Sequence, residues 1–122
     1  MKLAMVFPGQ GSQTVGMGKE LFDRYDFVKD LFKEADEATG TSITQLCFEG
    51  PEEELRKTEN TQPAILTVSV ACQRVLLAEH GIMPQIVAGH SLGEYSALVA
   101  AGVITFAEAV STVKTRGRLM QE

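Results

Sequence analysis

Two periodicities alternate along the chain. From Gly18 to Ala38, Leu21, Phe22, Tyr25, Val28, Leu31, Phe32 and Ala35 recur at spacings of three and four with charges between them, which predicts helix. Asp26 is placed to cap a second helix within that run. The runs Leu3-Ala4-Met5-Val6-Phe7 and Gln85-Ile86-Val87-Ala88 are short and mostly apolar, and predict strands over 2–7 and 85–88. Neither run shows a polar face, so both are expected to be buried on both sides, as parallel strands usually are. Ser42-Ile43-Thr44-Gln45 has the form of a capping box opening a short helix. Pro51 suits the first position of another, whose Glu52, Glu53 and Glu54 sit at the positive end of the dipole.

Asn60-Thr61-Gln62-Pro63 opens a long helix reaching about His80, with Pro63 placed in its first turn. Apolar residues cover nearly its whole circumference as far as Gln73, which marks a central, buried helix. Leu92 to Ala101 is rich in good helix formers and is ended by Gly102. Thr105-Phe106-Ala107-Glu108 is a second capping box, and the helix it starts carries Lys114, Arg116 and Arg118 and is still running at Glu122. This is an α/β pattern with a parallel sheet, but two strands are too few for a covered one. The expectation is that residues 1–122 form the N-terminal part of a larger α/β domain.

Composition narrows the partners. The net charge is −5, with no basic run, which argues against nucleic acid. No stretch approaches the roughly 20 apolar residues of a membrane span, and the run after Lys2 is too short for a signal peptide. Cys47 and Cys72 lack metal or redox spacing and read as free thiols in a core. A cytoplasmic protein is expected. The Glu52–Glu54 run reads as a solvated helix start, because no histidines accompany it.

The chemistry concentrates in Gly89-His90-Ser91-Leu92-Gly93, a Gly-x-Ser-x-Gly sequence set between a strand and a helix. A serine on such a turn has its hydroxyl exposed at the strand tip, and glycines on both sides permit close approach of neighbouring elements. The same residues also fit a glycine-rich turn with a helix-capping serine. Pro8-Gly9-Gln10-Gly11-Ser12-Gln13 lacks the third glycine of a dinucleotide fingerprint, and reads either as a plain connecting loop or as a source of backbone N–H groups for a developing negative charge. A serine nucleophile needs a base. His90 adjoins Ser91 and points elsewhere, and His80 ends the long helix, so the base is expected outside these residues.

Four motifs in order carry a resemblance: Phe7-Pro8-Gly9-Gln10-Gly11-Ser12-Gln13, Thr61-Gln62-Pro63, Gly89-His90-Ser91-Leu92-Gly93-Glu94 and Arg116-Gly117-Arg118-Leu119-Met120-Gln121. Together the chain resembles the bacterial malonyl-CoA:acyl-carrier-protein transacylases over about the first two-fifths of their usual length. The resemblance implies a parallel-sheet acyltransferase fold, whose ferredoxin-like subdomain, later strands and catalytic histidine lie further along. It implies Ser91 as nucleophile and the backbone N–H groups of Gln10 and Leu92 as oxyanion hole. Arg116 would hold the malonyl carboxylate, Gln62 would line the site, and His90 would neighbour the serine. It also implies malonyl-CoA and acyl carrier protein as partners, no metal or organic cofactor, and a monomer at full length. Lys114 and Arg118 are candidates for a basic patch that docks the carrier. Two other readings fit the residues: a serine esterase or thioesterase, and a non-catalytic truncated fragment of the transacylase.

Overall fold

The computed structural model describes residues 2–121. Its elements in chain order are β1 (Ala4–Phe7), α1 (Lys19–Arg24), α2 (Asp26–Thr39), α3 (Ile43–Glu49), α4 (Glu52–Leu55), α5 (Thr58–His80), β2 (Ile86–Gly89), α6 (Gly93–Ala100) and α7 (Phe106–Gln121). The two strands pair in parallel, Ala4 opposite Ile86 and Phe7 opposite Gly89, as parallel strands joined by a long helical crossover do. The run from Gly18 breaks in two as expected, but Tyr25 is the extended residue between the helices and Asp26 is already helical.

The long helix is central. Asn60 to Thr67, Ser69 to Ala71 and Gln73 are buried along α5, which packs lengthwise against α7. Its start corrects the reading from sequence: α5 begins at Thr58, so Pro63 is the sixth helical residue and not part of the first turn. Side-chain bonds carry the extra turn. Asn60 Nδ2 donates to the Glu54 carbonyl at 2.9 Å, Thr61 Oγ1 donates to the Leu55 carbonyl, and Gln121 Oε1 accepts from the Glu59 N–H at 3.3 Å. These contacts come from α4 and α7, so no local propensity forecasts them.

The capping residues act as the sequence predicts. Ser42 Oγ accepts from the Gln45 N–H at 3.3 Å, and Thr105 and Glu108 satisfy each other reciprocally, at 3.1 and 3.3 Å. At the start of α4, Glu52 pairs with Arg56 and Glu54 with Lys57, each at 2.8 Å, on a solvated surface.

One face of the strand pair packs inward and the other does not. Phe7 is buried, while Ala4, Val6, Ile86 and Ala88 form an exposed face on which Val6 is 75% and Ile86 65% accessible. Burial on both sides is therefore not observed, because among the described residues no element packs on that face. Cys47 is a core thiol, pushed up to about 12 mainly by burial. Cys72 is exposed, contrary to expectation, because it borders a groove of about 340 Å³ that α5 shares with Met5 and Phe7 of β1. Among the described residues, no helix is long and apolar enough to cross a membrane.

Candidate active site

The elbow is built by contact between glycines. β2 ends at Gly89 and α6 starts at Gly93, and a Cβ on Gly89 would lie 1.9 Å from the Gly93 carbonyl carbon. A Cβ on Gly93 would lie 2.1 Å from the Phe7 carbonyl oxygen, so the start of α6 rests directly on β1. The Gly-x-Ser-x-Gly spacing thus has a steric cause: both glycines are points where backbone meets backbone. Between them Ser91 has a φ of 55°, and it is the sole residue other than glycine with a positive φ among those described. That left-handed conformation costs a side-chain-bearing residue about 1–2 kcal/mol. It is held by hydrogen bonds from the His90 N–H to the Phe7 carbonyl at 3.2 Å and from the Gly93 N–H to the His90 carbonyl at 3.0 Å. Strain stored at an exposed serine is a mark of a functional turn.

The loop after β1 meets this turn. Gly9 is buried, and a Cβ there would lie 2.6 Å from the His90 carbonyl oxygen. Gln10 follows immediately, and its side chain donates to Thr58 Oγ1 at 3.2 Å. The backbone N–H groups of Gln10 and Leu92 donate to no protein acceptor among the described residues. These are the two groups expected from sequence to face a developing oxyanion, and neither is consumed by the fold. Leu92 itself is buried and anchors the first turn of α6.

Three of the expected residues form one connected set. Arg116, half-buried on α7, donates from Nη1 to Gln62 Oε1 at 2.8 Å and from Nη2 to Ser91 Oγ at 3.2 Å. Gln62 is 1% exposed, so its amide is a fixed acceptor inside the protein. Its other end donates to the Met120 sulfur at 3.3 Å, a contact the sequence reading missed although Met120 lies in a motif it had singled out. The guanidinium also lies over the Tyr95 ring, 5.5 Å from its centroid. Tyr95 too was missed; its place four residues after Ser91, one turn along a helix, was the available signal.

His90 is exposed and stands apart from this set. Among the described residues no hydrogen bond joins the Ser91 hydroxyl to His90 or His80. Lys114, a candidate for carrier docking, is tied to α5. It bonds Asn60 Oδ1 at 3.0 Å and lies 3.9 Å from Glu59, with its side chain only 20% exposed, whereas Arg118 is exposed.

Close packing of α7 on α5 places Arg116 over Gln62, and Gly117 permits it. A Cβ at that buried glycine would lie 2.6 Å from the Thr58 carbonyl oxygen and 2.7 Å from Glu59 Cα. Gly117→Ala is expected to lower unfolding stability by about 1–3 kcal/mol, read from the urea midpoint, since both obstacles are backbone.

A strained serine on a turn between a parallel strand and a helix defines the α/β class with a nucleophile elbow. The acyl transferase domain family matches residues 4–122, and the chain belongs to that family. It is 55% identical over 121 residues to a malonyl CoA-acyl carrier protein transacylase of Bacillus subtilis (strain 168), covering 99% of this chain and 38% of that relative. The solved malonyl CoA-acyl carrier protein transacylase from Coxiella burnetii superposes with a TM-score of 0.96 at 48% identity, over 100% of this chain and 39% of that one. A structure of a type II PKS acyl-carrier protein in complex with its malonyl-transacylase matches with a TM-score of 0.93 at 52% identity, over 99% and 39%. The chain thus spans about two-fifths of the length of these relatives.

Proposed function

We propose that this chain carries the nucleophile and carboxylate-binding part of a malonyl-CoA:acyl-carrier-protein transacylase. In this reading Ser91 Oγ bonds to the thioester carbonyl carbon while its proton passes to a base, and the carbonyl oxygen takes up negative charge. The N–H groups of Leu92 and Gln10 receive that oxygen. The carbon–sulfur bond then breaks, CoA leaves as a protonated thiol, and an ester remains on Ser91. The phosphopantetheine thiol of acyl carrier protein attacks the ester in the second half and restores the serine. The thioester supplies the driving force, so the reading needs no metal or organic cofactor. The base is assigned to that part of the relatives' length which this chain does not span. A cytoplasmic location fits these substrates.

The observation that carries the proposal is the Arg116 guanidinium within 3.2 Å of the elbow hydroxyl. A guanidinium matches a carboxylate through two parallel hydrogen bonds. Gln62 occupies one of its five N–H groups and Ser91 another, which leaves three for a ligand. A malonyl group, with a carboxylate one carbon from its thioester, presents both functions to that pair. A generic esterase has no use for the cation there.

The test joins these residues to the remaining length of the relatives, which holds the base, and exposes that protein to malonyl-CoA or acetyl-CoA, followed by peptide mass mapping. Malonyl ester on the peptide containing Ser91, formed in preference to acetyl ester, is the expected result. Arg116→Ala is expected to lower the malonyl-over-acetyl preference by about 10- to 100-fold, the worth of a hydrogen bond to a charged group. Equal loading of both acyl groups by the unaltered protein, or rapid loss of the ester to water without a carrier thiol, would favour the hydrolase instead.

A further inference from the structure

We infer that Tyr95 is a positioning residue: its ring holds the Arg116 guanidinium in register with the nucleophile. The inference rests on the proposed role of Arg116 in carboxylate binding. Four separate elements converge on this arginine. It projects from α7, Gln62 grips one nitrogen from α5, Ser91 takes another on the elbow, and the Tyr95 ring lies under its Cζ from α6 at 5.5 Å. The hydrogen bond from Nη1 to Gln62 fixes the direction of the guanidinium edge at one point. A single bond leaves the group free to swing about that point, and the contact with Ser91 at 3.2 Å is long and sits at an exposed hydroxyl. An aromatic ring 5.5 Å from Cζ attracts the cation and opposes the swing.

The location of that ring matters as much as its chemistry. Tyr95 lies one turn after Ser91, on the helix whose first residue closes the elbow. It is half-buried and packs against the core, so it is not free to follow the arginine. Gln62 ties Arg116 to α5, whereas Tyr95 ties it to α6, the helix that follows the elbow. Any shift of α7 relative to α6 is therefore resisted at the side chain where a carboxylate and a reacting carbonyl must be held a fixed distance apart. The platform thus keeps the guanidinium where a carboxylate must bind, a function beyond packing.

The experiment compares Tyr95→Phe and Tyr95→Leu, each alone and combined with Arg116→Ala, in the protein that loads malonyl groups. Tyr95→Phe retains the ring and is expected to behave as the unaltered protein. Tyr95→Leu is expected to raise KM for malonyl-CoA about two- to thirtyfold, the range of a cation–ring contact, with kcat changed less. In the Arg116→Ala background it is expected to change nothing further. An equal KM increase with and without Arg116, or none in either, would overturn the inference. A second readout does not depend on turnover. Nitrogen NMR of the ligand-free protein should show slow rotation of the Arg116 Nη groups in the unaltered protein and in Tyr95→Phe, and faster rotation in Tyr95→Leu. Identical rotation in all three would also overturn it. Failure of the unaltered protein to load malonyl groups would refute the transacylase reading while leaving the NMR comparison to decide the role of Tyr95.

Discussion

Ser91→Ala is expected to abolish the acyl ester while leaving the fold intact. Removal of the serine nucleophile from a serine protease lowers turnover by about 10⁶-fold, and here the ester itself has no alternative seat at the elbow. Cys47 is buried, its thiol pushed up to about 12, and is closed to acylation. Cys72 is exposed but borders the β1–α5 groove, and any adduct on it would be a thioester, separable from a serine ester by mild hydroxylamine. Stability provides the control. Alanine and serine both carry a Cβ, so the strain at a φ of 55° is the same for each. The lost contact with Arg116 is an exposed hydrogen bond. The urea midpoint should therefore shift by no more than about 0.5 kcal/mol in stability. Loss of the ester with an unchanged midpoint identifies the nucleophile. A malonyl ester that persists in Ser91→Ala would remove Ser91 from that role.

Gly93→Ala is expected to be among the most damaging single methyl groups in the described residues. The new Cβ would meet the Phe7 carbonyl oxygen at 2.1 Å, its carbon at 2.9 Å and the Pro8 carbonyl oxygen at 3.1 Å. All three are backbone atoms, so no side-chain rotation relieves the clash. Overpacking by one methylene in a core costs about 1–3 kcal/mol when neighbours can move. Here relief requires separating α6 from β1, and the loss is expected to exceed about 3 kcal/mol. Gly89→Ala tests the same joint from the other side, since its Cβ would overlap the Gly93 carbonyl at 1.9–2.0 Å. Both variants should lose urea stability and acyl ester together, unlike Ser91→Ala. A stable Gly93→Ala protein would show that α6 can lift away from the sheet without penalty.

The contrast between these variants also explains what the sequence revealed. Gly89, Ser91 and Gly93 were legible because the elbow is local: three backbone positions, five residues, one steric rule. The caps at Ser42 and Thr105 were legible for the same reason. The start of α5 was not, since Asn60, Thr61 and Gln121 extend it by a turn through bonds to distant backbone. Arg116 could be placed on a helix from its surroundings, but its contact with Gln62, 54 positions away, belongs to the packing of α7 on α5. The resemblance to a family suggested that meeting; periodicity did not. Nothing in the composition of the helix after the elbow singles out Tyr95, and the contacts of Lys114 with Asn60 and Glu59 come from the packing of α7 on α5. Strands β1 and β2 read correctly as strands and wrongly as buried on both faces, because composition reports what a face would tolerate and not what covers it.

The pairing of β1 with β2 has a kinetic consequence. Ala4 and Ile86 are partners across 82 positions of chain. Closing a loop of that length costs about 4 kcal/mol of chain entropy before any contact compensates. Helices α2, α5 and α7 gain hydrogen bonds within themselves and can form early. The elbow cannot, because its glycines rest on Phe7 and its turn hangs from the Phe7 carbonyl. During synthesis the first strand emerges from the ribosome long before its partner exists. The serine acquires its strained geometry only when the two ends of this long crossover have met, so assembly of the elbow belongs to the slow, topology-limited stage of folding.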